Sequence, residues 1–420
     1  MNNKFNIFKN RAFFLFFFGN TISLFGWGLN FIAVGWIVLE ATGSKMALAH
    51  LAVVTTIPGM LIVLIGGTII DRYNRKHILV FLDFYRIIVL LVVLISFRLG
   101  TFELWQIYLL SFFLSIGSSL FWPCASAFTQ EIVSGRKYMQ ANSFLSASYQ
   151  IGILFGAAIG GFIVADFGAE VALWLNAGTY FLSALFLMAV PYKMGARDAG
   201  DHQVIKSLKK GFAFARSNKM IFGYGLSAVL SDIAVWGGFP IVTLAFSEDV
   251  LGMGAKGFGL LDGAYGAGAF LATFLSLLFL QRFRRDIVLG ILYGLATIAC
   301  GMMFGVGVFF ASLILFFLMG IANNSARIIS RTIMMEKVPN EVMGRMQTLW
   351  GIFVRVMMVC VAMFLGWVAE KFSVEIAFLW NAILFAMPIA GVFVVKMFQQ
   401  GFFAKPLDEQ KIEPAVGLLD

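Results

Sequence analysis

The chain has 420 residues, 60% of them hydrophobic and 13% charged, with a mean hydropathy of +0.89 and a formal net charge of +9. A soluble core of this apolarity would have too little polar surface to cover it, so the composition excludes a soluble globular protein and calls for a polytopic membrane protein. Cys124, Cys300 and Cys360 all fall inside apolar stretches and read as small buried thiols, with no disulfide expected.

The first apolar stretch is too long for a signal-peptide core, and no small-x-small cleavage site follows it, so it reads as a retained helix. A bilayer span takes about 20 mainly apolar residues. Twelve such segments follow one another, approximately 12–39, 46–70, 77–97, 104–128, 139–165, 170–190, 219–246, 258–281, 287–306, 309–335, 346–369 and 374–397. Backbone polar groups cannot stay unpaired in lipid, so each segment is predicted helical. Strands of a membrane barrel would be half as long and would alternate. The predicted fold is all-α, with a six-helix half over 1–190, a linker over 191–218, a second six-helix half over 219–397 and a tail over 398–420.

Lysine and arginine set the orientation. The N-terminal side carries Lys4, Lys9, Arg11, Arg72, Arg75, Lys76, Arg136, Lys137, Arg282, Arg284, Arg285, Lys337 and Arg345, besides the bases of the linker and tail. The opposite side carries only Lys45, Arg98, Lys256 and Lys371. Both termini and the linker are therefore predicted cytoplasmic. The positive charge is topogenic, and no nucleic-acid partner is expected. Within the linker, residues 205–216 alternate apolar and basic faces at helical spacing, as a helix lying on an anionic membrane surface would.

In chain order, Trp27 and Asn30 on the first span are candidates to line a central site. Next, Gly67 is followed one helical turn later by Asp71, then by Arg72, Arg75 and Lys76, between two apolar segments. Charge alone would make this an ordinary positively charged loop. Asp83 and Arg86 lie one turn apart near the start of the third span and are grouped with that cluster. On the fifth span, Tyr149 is a further lining candidate. Gly152, Gly156, Gly160 and Gly161 there form a smooth strip for close helix packing.

In the second half, Asp232 lies midway along the seventh span and Asp262 one turn inside the eighth. Ionisable groups within spans are expensive and usually functional. A carboxylate at the midplane suits reversible protonation, Asp232 ahead of Asp262; the alternative for Asp232 is a structural acid paired to an arginine. Arg327 and Arg331 are four residues apart on one face of the tenth span, and Arg355 lies near the middle of the eleventh. The three suit an anionic substrate, because guanidinium binds carboxylates bidentately; Asn323, also on the tenth span, is a further candidate to line the cavity. An internal salt bridge from these arginines to Asp232, with a neutral substrate, fits equally well.

The halves repeat. Glu131, followed by Gln140-Ala141-Asn142, has its counterpart in Glu336, followed by Arg345-Met346-Gln347; Gln281-Arg282-Phe283-Arg284-Arg285 occupies the second-to-third loop of the second half. Two six-helix halves around a midplane site form the architecture of an alternating-access transporter. No HExxH, GxSxG or P-loop occurs, and His50, His77 and His202 lie at segment ends, so no enzyme, cofactor or metal site is indicated.

The stretch Gly67 to Lys76 resembles the G-x-x-x-D-R-x-x-R-K signature of the major facilitator superfamily. Gly156-Ala157-Ala158-Ile159-Gly160-Gly161 is similar to the G-P-x-x-G-G signature of its exporting branches, with Ala157 at the proline position. Nearly the whole chain resembles the drug-proton antiporter branch, within it the macrolide efflux and enterobactin-type siderophore exporters. The resemblance implies a monomeric bacterial inner-membrane exporter that exchanges a drug-like compound or an anionic metabolite for protons. It also implies that Asp71 and its neighbouring bases lock the cytoplasmic side in the outward-facing state. A lysophospholipid flippase of the same fold and a non-transporting sensor are the alternatives.

Overall fold

A computed structural model describes residues 6–133, 137–192, 219–282, 284–337 and 340–398. The predicted linker helix and the C-terminal tail lie outside the described residues. So do the side chains of the second repeat, from Glu336 to Gln347.

Thirteen α-helices occur among the described residues. The first half contains α1 (Arg11–Thr42), α2 (Lys45–Arg72), α3 (Arg75–Arg98), α4 (Trp105–Ile132), α5 (Tyr138–Phe167) and α6 (Ala169–Ala189). The second contains α7 (Lys219–Trp236), α8 (Phe239–Asp249), α9 (Gly254–Arg282), α10 (Arg285–Met302), α11 (Phe309–Lys337), α12 (Asn340–Lys371) and α13 (Val374–Phe398). Eleven spans are long and apolar enough to cross a membrane, α7 and α8 counting as one, and α5 contributes the shorter apolar piece Phe155–Phe167. Asparagine side chains cap the starts of two of these helices. Asn10 accepts from the amides of Ala12 and Phe13 to start α1, and Asn74 accepts from those of Lys76 and His77 to start α3.

The segment expected as one helix over 219–246 is broken at Gly237-Gly238. Pro240 has no N–H to donate and sits in the first turn of α8, where that loss is harmless. Glycines are also required by the neighbouring helix: a Cβ at Gly238 would stand 2.4 Å from Leu365 Cδ1 on α12. Cys124 and Cys300 are buried as expected, but Cys360 is exposed, because it lies on the outward face of α12; all three are free thiols.

Within the first half, α1 packs on α5 and α6, and α2 and α3 on α4; within the second, α9 and α10 pack on α11, and α13 on α7 and α10. The halves meet through α5 with α9 and α2 with α12. The α5 glycines bring backbones together on two sides. A Cβ at Gly156 would come 2.5 Å from the Phe25 carbonyl oxygen on α1, and one at Gly161 would come 2.7 Å from that of Ala255 on α9. Gly152 and Gly160 lie against Leu24 and Leu29 in the same way.

Candidate functional site

At the end of the bundle remote from the termini, polar contacts cross from one half to the other. Lys45 Nζ, at the start of α2, lies 2.8 Å from Asp249 Oδ2 at the end of α8. The Glu370 carboxylate, at the end of α12, accepts from Ser44 Oγ at 3.0 and 2.9 Å and from the Met46 amide at 3.0 Å. A carboxylate of one half thus caps the N-terminus of a helix of the other, where the helix dipole and the unpaired amides favour it. No feature singled out from the sequence included Glu370; an acid closing an apolar run opposite a capping serine is the signal that was available.

Beneath this seal a cavity of about 980 Å³ lies between the halves, lined from Leu48 and Leu244 near the seal to Gly66 and Gly351 toward the terminus-bearing end. One wall is apolar and aromatic, with Trp27 stacked on Phe31 at 5.6 Å and Trp236 and Phe258 beside them. The facing wall is built by α2 and α4 and carries hydroxyls. Ser111, Ser115 and Ser118 recur at i, i+4 and i+7 along one face of α4, with Ser119 adjacent and Thr55 and Thr56 on α2. Ser115 Oγ donates to the Thr55 carbonyl and ties the two helices together. The serine periodicity was present in the sequence, but serine in an apolar run reads equally as packing.

Arg355 enters this cavity from α12 and lies against the hydroxyl wall of the other half. A Cβ at Gly59 would stand 3.6 Å from its Nε and 2.9 Å from Ser119 Oγ, so the absence of a side chain at Gly59 gives both groups room. Among the described lining residues Arg355 is the one charged side chain, and no hydrogen bond or ion pair holds it within the described residues. Asn30 also lines the cavity, with its buried Oδ1 lacking a hydrogen bond. Tyr149 does too, its ring edge-on to Trp122 at 5.2 Å.

The other two arginines do not join Arg355. Arg327 Nε is 3.0 Å from Asp232 Oδ1, and Arg331, 60% exposed, is 3.9 Å from Asp232 Oδ2. Of the two readings open for these residues, the geometry follows the internal salt bridge. The pairing is imperfect: both Arg327 Nε and Asp232 Oδ1 are buried without a hydrogen bond, so charge attraction and not a directed N–H···O bond joins them. Asn323 is a correction of a different kind. It is fully buried, its Oδ1 accepting from Ser231 Oγ at 2.6 Å and its Nδ2 donating to Tyr265 Oη at 3.0 Å, and it is not among the described lining residues of the central cavity. Asp262 lines a side chamber of about 60 Å³ together with Trp27, Tyr265, Asn324 and Arg327, and has no hydrogen bond or ion pair within the described residues.

The residues grouped around the loop signature separate into two sites. Arg75 donates to Glu131 Oε1 at 2.8 Å and to the Ala127 carbonyl at 3.0 Å, and Tyr192 donates to the same carboxylate. Lys76 Nζ donates at 2.7 Å to the carbonyls of Met188 and Val190, closing the end of α6. Arg72 is exposed over the Tyr73 ring. The surroundings of Gly67 and the side chain of Asp71 lie outside the described residues. Asp83 and Arg86 are buried further along α3 and pair with each other, away from the loop.

Two helical halves around a central, one-end-sealed cavity define the fold class of the alternating-access transporters. Residues 2–412 match the family model described as transmembrane secretion effector, and the chain belongs to that family of the major facilitator superfamily. Over 344 residues it is 25% identical to the enterobactin exporter EntS of Salmonella typhimurium, covering 81% of each chain. It is 25% identical over 285 residues to the putative bacilysin exporter BacE of Bacillus subtilis, covering 66% of this chain and 69% of that one. Among solved structures, the nucleoside transporter NupG shares the fold with a TM-score of 0.72 at 12% identity, over 92% of this chain and 100% of that one.

Proposed function

We propose that this membrane transporter exports a small organic molecule from the cytoplasm by alternating access, in exchange for protons. The observation that carries the proposal is the central cavity. Its volume suits a drug-sized ligand, its lining comes from both halves, and it is sealed at one end by contacts that must break for it to open there. The excess of lysine and arginine at the terminus-bearing end supports reading that end as cytoplasmic, so the sealed end is the outer one and this state loads from inside. The naming of two relatives as the enterobactin exporter EntS and the putative bacilysin exporter BacE supports the direction.

For coupling, the geometry favours Asp262 over Asp232. Asp232 already has its charge balanced by Arg327, whereas Asp262 faces a small chamber with no ion pair within the described residues. A proton arriving at Asp262 would remove a carboxylate charge from a chamber it shares with Arg327, and Arg327 connects that event to Asp232. The test compares, by mass spectrometry, the compounds extruded by cells with and without the protein, then follows the differing compound in inverted vesicles under an imposed pH gradient. Vesicle transport that needs the gradient and disappears in Asp262→Asn is the expected result. Identical extrusion profiles would refute export, and gradient-driven transport that survives Asp262→Asn but not Asp232→Asn would return coupling to Asp232.

A further inference from the structure

From the charge inventory and the two unlike walls of the central cavity we infer that its ligand is an amphipathic monoanion: a flat apolar body bearing one carboxylate or equivalent oxyanion. The inference rests on reading this cavity as the transport site and adds the chemical class of what it carries.

The three intramembrane arginines would suit a polycarboxylate if they acted together. They do not: Arg327 and Arg331 lie with Asp232, outside the described lining of the main cavity, and only Arg355 presents charge to its interior. A cationic ligand would meet that guanidinium with no acid among the described lining residues to offset it. A neutral ligand would displace water from Arg355 without replacing the lost hydrogen bonds. A dianion would leave its second charge against apolar wall. One negative group balances the site.

The surroundings of Arg355 fit that group. Its guanidinium offers a planar fork to two oxygens. Ser119 lies beside it, and Ser118 is on the same wall; neither hydroxyl is engaged by a hydrogen bond within the described residues. Both are therefore available to donate to the remaining lone pairs of a carboxylate. Across the cavity, Trp27 stacked on Phe31 provides a flat face, and Trp236 and Phe258 extend it. A ligand anchored by its acid at Arg355 would lay its apolar body on that face. Arg355 belongs to one half and the hydroxyls to the other, so a bound oxyanion would join the halves at the level where they must move relative to each other.

The test uses the purified full-length protein in lipid nanodiscs and four probes that share one ring system: 2-naphthoate, 2-naphthamide, 2-naphthylmethylammonium and 2,6-naphthalenedicarboxylate. Binding is read calorimetrically and by quenching of tryptophan fluorescence. The monocarboxylate is expected to bind at least about tenfold tighter than the amide, equivalent to about 1.4 kcal/mol, with the ammonium and the dicarboxylate also weaker than the monocarboxylate. Arg355→Gln should bring monocarboxylate and amide to within about twofold of each other, mainly by weakening the monocarboxylate, and amide binding that persists in the variant also reports that the fold survives. Arg355→Lys should keep the order of the four probes, since charge is retained and only the fork is lost. Equal binding of amide and carboxylate, preference for the ammonium or dicarboxylate, a charge preference that persists in Arg355→Gln, or no binding by any probe would each overturn the inference. None of these outcomes bears on export itself, which the extrusion comparison tests with no assumption about the ligand.

Discussion

Each half of the molecule holds an arginine–aspartate pair within its helices, and the two are built differently. In the first half, Asp83 and Arg86 are both buried on α3. Asp83 also accepts from Ser183 at 2.7 Å, Arg86 donates to the Leu82 carbonyl, and the guanidinium lies between the rings of Phe121 and Tyr180, 4.4 Å from each. In the second half, Asp232 and Arg327 are 22% and 18% exposed and touch without a directed hydrogen bond, and Arg327 lines the side chamber. A fully satisfied buried pair resists any change, because moving one partner strands the other in an apolar medium. A poorly satisfied pair beside water-sized space has little to lose by rearranging. The first is locked into its helix bundle; the second is held the less tightly of the two.

The largest expected effect tests the rigid pair. Asp83→Ala leaves Arg86 uncompensated and should cost about 3–5 kcal/mol, seen as a sharp fall in the midpoint of thermal unfolding of the detergent-purified protein. Changing both residues, Asp83→Leu with Arg86→Met, should restore most of that loss. If the single variant is as stable as its parent, the contrast between the halves collapses.

Asp232→Asn should cost less, about 1–3 kcal/mol, because its pair is partly exposed and already imperfect. Asp262→Asn should leave the unfolding midpoint unchanged while removing dependence on the pH gradient. A Asp232→Asn penalty as large as that of Asp83→Ala would mean that the second pair is as structural as the first.

The seal should respond more mildly still. Glu370→Gln weakens a solvent-exposed contact worth about 0.5–1 kcal/mol, and so should move the ratio of sealed to open molecules about two- to fivefold toward open. Distances between spin labels on Glu103→Cys and Val308→Cys, placed on otherwise cysteine-free protein, would report that shift. An unchanged distribution would show that the α5–α9 and α2–α12 contacts hold this end without Glu370. At the bottom of the scale, Ser119→Ala should change stability by less than about 0.5 kcal/mol, since its hydroxyl faces the cavity and supports no neighbour; a larger loss of the unfolding midpoint would make it part of the helix packing.

Much of this architecture was legible beforehand because lipid leaves few options for a polypeptide. The apolar runs predicted the spans closely, while the break at Gly237-Gly238 was missed although two glycines and Pro240 marked it. Such residues are tolerated within membrane helices when a neighbour fills the space, so they do not by themselves announce a break. In the candidate site, Arg355 stood out as a cation within a span. The hydroxyl wall went unread because i, i+4 serines serve packing as readily as binding. Asn323 was read as a lining residue because nothing local distinguishes an amide facing a cavity from one locked between Ser231 and Tyr265.

What the sequence by itself determined were the properties that hydropathy, glycine spacing and charge placement carry along a single helix: the membrane setting, the helical spans, the two halves and the close approach at the α5 glycines. Those follow from local rules, since a span must satisfy its own backbone whatever it packs against. Only the tertiary structure decided which charges meet. Asp232 and Arg327 come from different helices, as do Glu370 and Ser44, and among the described residues Arg355 has no ion pair because of where its neighbours stand. The reason is that a buried ion pair offsets the desolvation of its charges only at contact distance and in good geometry. A few ångströms decide whether an arginine is balanced by the protein or left for a ligand, and no single helix's sequence records that distance.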